Sequence, residues 1–227
     1  MIVLFDIDGT LLLAGGAGRD ALNTALDRRL PVRGAMDAVS CAGKTDILIV
    51  EEACHKATGE VPGEALVAEV LEDYAALIRD ELEHNLNFRL MPGVPEVLDQ
   101  LEARPGTVLA VATGNIEAGA DAKLRRAGLR ERLPLGGYGD DTRHRPDILR
   151  QALRAVREVH GERAAGPAVV VGDTVRDIEA AREVGLPVAV IRDITTSTED
   201  LTEAGPDLLV EDLREIVGWL DELEVAR

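Results

Sequence analysis

Short apolar runs alternate along the chain with longer amphipathic stretches. Ile2-Val3-Leu4-Phe5, Val108 to Ala112, Ala168 to Val171 and Val188 to Ile191 are continuously hydrophobic and rich in β-branched residues. Unbroken hydrophobicity of that length is expected of strands buried on both faces of a parallel sheet. Leu208-Leu209-Val210 predicts a short edge strand. Between the runs the spacing predicts helices over Val94 to Ala103, Ile116 to Ala127, Asp147 to Val159, Val175 to Val184 and Leu213 to Leu223. Gly128 and Gly185 follow two of these and read as helix stops. The alternation predicts an α/β fold, a doubly wound parallel sheet with a Rossmann-like core.

One segment breaks the rhythm. From Gly15 to Arg89 the pattern is helical throughout, over Asp20 to Leu30, Asp46 to Thr58 and Glu64 to Glu83. Pro92-Gly93 then restarts the strand–helix alternation. The economical division is an α/β core of residues 1–14 and 90–227, with residues 15–89 inserted as a helical cap domain.

Composition narrows the class. A chain of 227 residues that is 46% hydrophobic and 30% charged can bury a sizeable core. Its net charge of −17 repels phosphate backbones and anionic lipid, so nucleic-acid and membrane partners are not expected. No apolar run approaches the roughly 18 residues of a membrane span. The five residues ahead of Asp6 are too few for a signal-peptide core. Cys41 and Cys54 form neither a disulfide framework nor a metal-ligand spacing. The expectation is a cytoplasmic protein with reduced thiols, monomeric or a small homo-oligomer. His55, His84, His144 and His160 make no ligand set and are expected at the surface, while Trp219 falls in the apolar pattern of the last helix.

The polar residues with chemical potential cluster where predicted strands end. Asp6-Ile7-Asp8-Gly9-Thr10-Leu11 closes the first strand. Carboxylates at i and i+2 on a strand project to one side, here toward the crevice beyond the carboxyl ends of a parallel sheet, where ligands bind. Thr113-Gly114-Asn115 follows the second strong strand, with a hydroxyl and backbone N–H groups at a helix N-terminus suited to an anion. The same residues are also ordinary helix-entry chemistry. Gly172-Asp173-Thr174-Val175-Arg176-Asp177 adds two carboxylates at a third strand end. Several carboxylates in one crevice call for a counter-charge, met by a hard divalent cation with oxygen ligands, Mg²⁺ above all. Arg143 and Arg145 stand near the positive end of a predicted helix, where a cation is disfavoured without an anionic partner.

Taken in order, Asp6-Ile7-Asp8-Gly9-Thr10-Leu11, Thr113-Gly114-Asn115, Arg145 and Gly172-Asp173-x-x-x-Asp177 resemble the four motifs of the haloacid dehalogenase-like hydrolase superfamily. The resemblance spans the whole chain, and the helical insertion lies where that superfamily carries a cap. The third motif is more often Lys, and alignment on the Pro-Asp that follows would select Arg143; Arg145, immediately before the helix, is the preferred assignment. The resemblance implies that Asp6 is the nucleophile forming an aspartyl-phosphate and that Asp8 is the general acid and base. It implies Mg²⁺ held by Asp6, the Asp8 carbonyl and Asp173, phosphoryl oxygens held by Thr113, Gly114, Asn115 and Arg145, and Asp177 in support. Superfamily members that cleave carbon–halogen or carbon–phosphorus bonds lack an Asp at the position of Asp8, which implies a phosphate ester here.

Substrate choice is expected in the cap. Gly43-Lys44-Thr45-Asp46 resembles the Gly-Arg-Thr-Asp loop of phosphoglycolate-phosphatase-like members, so Lys44 and Thr45 form a candidate substrate loop and phosphoglycolate a candidate substrate. A glycine turn and helix cap would produce the same four residues. The expected activity is hydrolysis of a small phosphorylated metabolite. A phosphomutase using the same aspartyl-phosphate, and a phospho-metabolite-binding protein without turnover, are the alternatives.

Overall fold

The computed structural model describes residues 1–161, 166–192 and 196–225. Five of its six principal strands are the predicted ones: β1 (Ile2–Phe5), β4 (Val108–Ala112), β6 (Ala168–Gly172), β7 (Val188–Ile191) and β8 (Leu208–Val210). The sixth is β5 (Gly136–Gly137), and β2 (Leu12–Leu13) pairs antiparallel with β3 (Arg89–Leu90) in a separate ribbon. The main sheet is parallel, in the order β5-β4-β1-β6-β7-β8.

Helices cover both faces, which is why the strands read as uninterrupted apolar runs. Val3 and Phe5 of β1 point into a cluster with α4 (Val94–Glu102), α5 (Glu117–Arg126) and α9 (Ile216–Val225). Ile2 and Leu4 point the other way, against α6 (Arg145–His160), α7 (Val175–Val184) and α8 (Thr198–Ala204). Each such fully buried aliphatic side chain contributes roughly 1.5–3 kcal/mol relative to exposure. Trp219 is half-buried and packs on the first cluster; the four histidines are exposed.

The inserted segment supplies α1 (Ala17–Arg29), α2 (Asp46–Thr58) and α3 (Glu64–His84). Their apolar stripes meet in a third cluster around Leu26, Val50, Tyr74 and Ile78, to which Ile116 and Ala122 of the core side also contribute. These helices form a cap, and the chain leaves for it after β2 and returns from it at β3. No helix among the described residues is long and apolar enough to cross a membrane.

Sequence pattern missed β2, β3, β5 and α8, for identifiable reasons. β2 and β3 hold two residues each, too few for a period to register. The α8 segment, Thr198-Glu199-Asp200-Leu201-Thr202-Glu203-Ala204, buries Leu201 alone and so has no stripe. In β5 the two residues are glycines, which carry no strand propensity of their own. They are there because α6 crosses this strand at backbone contact: a Cβ at position 137 would lie 2.1 Å from the Ile148 carbonyl oxygen and 2.8 Å from the Ala152 nitrogen. Gly137→Ala is therefore expected to lose about 1–3 kcal/mol or more. Urea unfolding checks this, and an unchanged midpoint would show that α6 can move away from the sheet.

Candidate active site

Chain order switches direction between β4 and β6, the two neighbours of β1, and this opens a crevice at the carboxyl ends of the three strands. Asp6 follows β1, Thr113 follows β4 and Asp173 follows β6. Arg145, the first residue of α6, enters from the side. A cavity of about 630 Å³ lies between this crevice and the cap, lined by Asp6, Asp8, Thr113, Arg145 and Asp173 from the core and by Lys44 and Asp46 from the cap.

Arg145 organises one half of the site. It is 8% exposed, and its Nη2 lies 2.8 Å from Asp6 Oδ2 and 2.6 Å from Asp177 Oδ1. Its Nε donates to the same Asp177 oxygen at 3.0 Å and its Nη1 to the Gly43 carbonyl of the cap at 3.3 Å. Burial opposes the guanidinium charge, but Asp177 and Asp6 outweigh it and hold the Arg145 pKa above its ordinary value. Arg143, the alternative third-motif residue, is exposed and pairs with Glu51 at 2.7 Å. Geometry thus brings Arg145 to the carboxylates and leaves Arg143 outside.

Oxygen atoms of Asp6, Asp173 and Asp177 lie within 4.8 Å of one another, and all three residues are buried. An all-oxygen, anionic donor set suits a hard divalent cation. Asp177 is occupied in another way: Oδ2 accepts from Thr174 N at 3.0 Å and Thr174 Oγ1 at 2.7 Å, and Oδ1 from Arg145. Asp173 Oδ1 accepts from Thr10 Oγ1 at 3.2 Å. Burial raises the Asp6 pKa to about 6, against the pull of Arg145 and with help from the charges of Asp177 and Asp8. Three buried carboxylates thus gather beside the one guanidinium of Arg145, a donor set that would suit a cation at Asp6 and Asp173.

The second half of the site centres on a residue that sequence reasoning missed. Lys123 of α5 is 4% exposed, and its Nζ donates to Asp8 Oδ2 and to Asn115 Oδ1, each at 2.6 Å. Asn115 Nδ2 donates to the same Asp8 oxygen at 2.8 Å and to Thr113 Oγ1 at 2.7 Å. Thr113 Oγ1 also accepts from Asn115 N at 3.3 Å, so its hydroxyl hydrogen is left to point elsewhere. The donors of Asn115 are therefore directed at Asp8 and Thr113. Lys123 sits three residues after Ala120, on the inward stripe of its helix, and that phase was the signal available in the sequence.

The cap loop of residues 43–46 closes the cavity from above. Thr45 is the N-cap of α2 and accepts from Leu48 N at 3.3 Å. Lys44 borders the cavity while its ammonium is hydrogen-bonded to Glu52. Asp46 binds the core twice, donating from its N to the Gly114 carbonyl at 2.9 Å and accepting from Ile116 N at 2.8 Å. Gly114 permits the contact, since a Cβ there would meet the Lys44 carbonyl oxygen at 2.3 Å.

Comparison with known proteins agrees with this geometry. Residues 3–191 match the family model described as haloacid dehalogenase-like hydrolase. Over 213 residues the chain is 32% identical to a phosphoglycolate phosphatase of Xanthomonas campestris pv. campestris (strain 8004), covering 92% of this chain and 91% of the relative. Over 218 residues it is 28% identical to a probable phosphatase of Dickeya dadantii (strain 3937), covering 96% and 92%. Among solved structures, CbbY from Rhodobacter sphaeroides in complex with phosphate is similar in fold, with a TM-score of 0.70, 23% identity and 93% of each chain covered.

Two outcomes follow for the loop. Gly114→Ala should unseat it, and hydrogen exchange at the Asp46 amide should speed up at least about tenfold, about 1.4 kcal/mol of lost protection; unchanged exchange would mean that the loop accommodates the methyl. Asp46 supplies the second. Burial lifts its pKa to about 6, opposed by Lys123 and the Ile116 N–H and assisted by Asp8 and Asp140. The folded protein thus holds this proton more tightly than the unfolded chain. The resulting stabilisation is fully present below about pH 4 and is lost as pH rises through 6. Asp46→Asn keeps an acceptor for Ile116 and should gain stability relative to the parent between about pH 4 and pH 7, on the order of 2–3 kcal/mol. A pH-independent difference in urea midpoints would show that folding does not raise the Asp46 pKa.

Proposed function

The chain belongs to the haloacid dehalogenase-like hydrolase family, and from that premise we propose that it is a Mg²⁺-dependent phosphomonoester hydrolase working through an aspartyl-phosphate. Its substrate is a small phosphorylated metabolite, with phosphoglycolate the first to test because relatives carry that name. The observation that carries the reading is the pairing of two non-equivalent carboxylates at one strand end. Asp6 is buried against Arg145, while the Asp8 side chain, held by Lys123, is 42% exposed to the cavity.

In the first step a carboxylate oxygen of Asp6 attacks phosphorus, the ester P–O bond breaks, and the departing alkoxide takes a proton from Asp8. In the second, Asp8 takes a proton from water as the water oxygen bonds phosphorus and the bond to Asp6 breaks. Free phosphate and ionised Asp6 result, with Asp8 again protonated. Thr113 aims its free hydroxyl hydrogen at a phosphoryl oxygen, the Gly114 N–H lies beside it, and Arg145 supplies positive charge next to the nucleophile. Asp177 orients Arg145. Asp6, Asp173 and the Asp8 carbonyl would hold Mg²⁺, which when bound offsets charge developing on the phosphoryl group.

Residues 15–89 act as the cap over a core of 1–14 and 90–227, and Lys44 reaches a substrate carboxylate by exchanging Glu52 for it. The enzyme works in the cytoplasm, as a monomer or small homo-oligomer.

Phosphate release from p-nitrophenyl phosphate and a panel of metabolite esters tests this, with Mg²⁺ or EDTA, for the parent and Asp6→Asn. The expected result is Mg²⁺-dependent turnover that falls at least about 10³-fold in the variant. An isomerised sugar phosphate without free phosphate would move the assignment to a mutase. No product from a folded protein would move it to a binding protein.

A further inference from the structure

Lys123 makes an arrangement that holding phosphate does not require. Its ammonium is buried, yet it is not placed to balance charge evenly between the two carboxylates near it. It contacts Asp8, whereas Asp46 has no ion pair with it. Its second hydrogen bond goes to the side-chain oxygen of Asn115, whose amide nitrogen returns to the same oxygen of Asp8. Two nitrogen donors therefore converge on Oδ2 of Asp8, at 2.6 and 2.8 Å. Among the described residues no side-chain donor reaches Oδ1.

We propose that Lys123 is a positioning residue for the acid–base group. Together with Asn115 it occupies Oδ2 of Asp8, so that the transferable proton resides on Oδ1, toward the leaving oxygen. The proposal rests on the phosphatase reading above and adds to it which oxygen of Asp8 does the work and what fixes that choice. A carboxyl oxygen that already accepts two N–H bonds cannot also carry a proton without breaking one of them. Across the two steps Oδ1 gives its proton to the alkoxide as the ester P–O bond breaks. It then takes one from water as the water oxygen bonds phosphorus and the Asp6–phosphorus bond breaks. Oδ2 keeps both donors throughout, so the carboxyl group does not turn between steps.

The readout follows from leaving-group chemistry. An alkyl phosphate expels a poor leaving group that needs a proton, whereas p-nitrophenolate departs as a stable anion and gains little from an acid. The quantity to compare is kcat/KM, which reports steps through cleavage of the ester bond, for glycerol phosphate or phosphoglycolate against p-nitrophenyl phosphate. Lys123→Met should lower the alkyl-to-aryl ratio at least about tenfold, part of the ~10²–10⁴ that a complete general acid contributes. Removing a buried cation can unfold a protein by stranding its partners. Lys123→Gln in an Asp46→Asn background removes one charge of each sign and should show the same fall in ratio. Tyr74→Phe, which trims a buried hydroxyl without a partner in the same region, should leave the ratio as in the parent.

An equal loss on both ester classes, or an unchanged ratio in the folded double variant, overturns the role of Lys123 and leaves the phosphatase reading intact. A parent protein that hydrolyses neither ester overturns both.

Discussion

Like charge crowded into a buried crevice is the constraint on which the rest of this site depends. Asp6, Asp173 and Asp177 are nearly inaccessible to water, and Asp46 is too. Isolated carboxylates in such surroundings would take up protons rather than remain ionised. Two buried cations oppose this without cancelling it, and they divide the work. Arg145 lies between Asp6 and Asp177, where a planar guanidinium can address two carboxylates at once. Lys123 serves Asp8 and Asn115, where a compact ammonium with several donors fits better. Removing Arg145 would leave the buried Asp6 and Asp177 without their partner, a defect worth about 3–5 kcal/mol.

The same contacts tie the cap to the core. Arg145 reaches the Gly43 carbonyl while it holds Asp6, and Asp46 receives the Ile116 N–H at the entry to α5. The seating of the loop over the cavity and the ordering of Asp6 therefore share one side chain, that of Arg145. A disturbance of residues 43–46 reaches Asp6 through Arg145, with two hydrogen-bonded steps between them. In the proposed reaction a cap joined in this way would exclude water from the phosphoryl group without a separate latch.

How much of this was legible in the sequence depends on how each feature is encoded. β1, β4, β6 and β7 announced themselves because both faces of each strand are buried. Residues of the four motifs stood out because their types are unusual at strand ends, and Arg145 because a cation at a helix start is unfavourable without a partner. Lys123 escaped because lysine on an amphipathic helix is exposed by default. Its inward phase relative to Ala120 becomes informative only once the helix has been placed against the sheet. β5 escaped because its residues were selected by what α6 leaves room for, which is a tertiary property. Asp46 was visible as part of a cap loop, but its two bonds to Gly114 and Ile116 span about 70 residues and no local pattern records them.

The overall acidity of the chain and the anionic nature of a phosphate ester are reconciled at this crevice. A net charge of −17 works against the approach of an anion at long range, more so at low ionic strength. At the strand ends the buried carboxylates Asp6, Asp173 and Asp177 gather beside one guanidinium, that of Arg145. Burial above all raises the pKa of Asp6, the proposed nucleophile, to about 6, with Arg145 opposing and the charges of Asp177 and Asp8 adding to the rise. A dianionic phosphate ester would add negative charge beside these carboxylates. In the proposed reaction a divalent cation held by Asp6 and Asp173 would lower the proton affinity of Asp6 and offset charge on the phosphoryl oxygens. Three buried carboxylates beside one guanidinium thus support the proposed cation on the chemistry of the donor set alone.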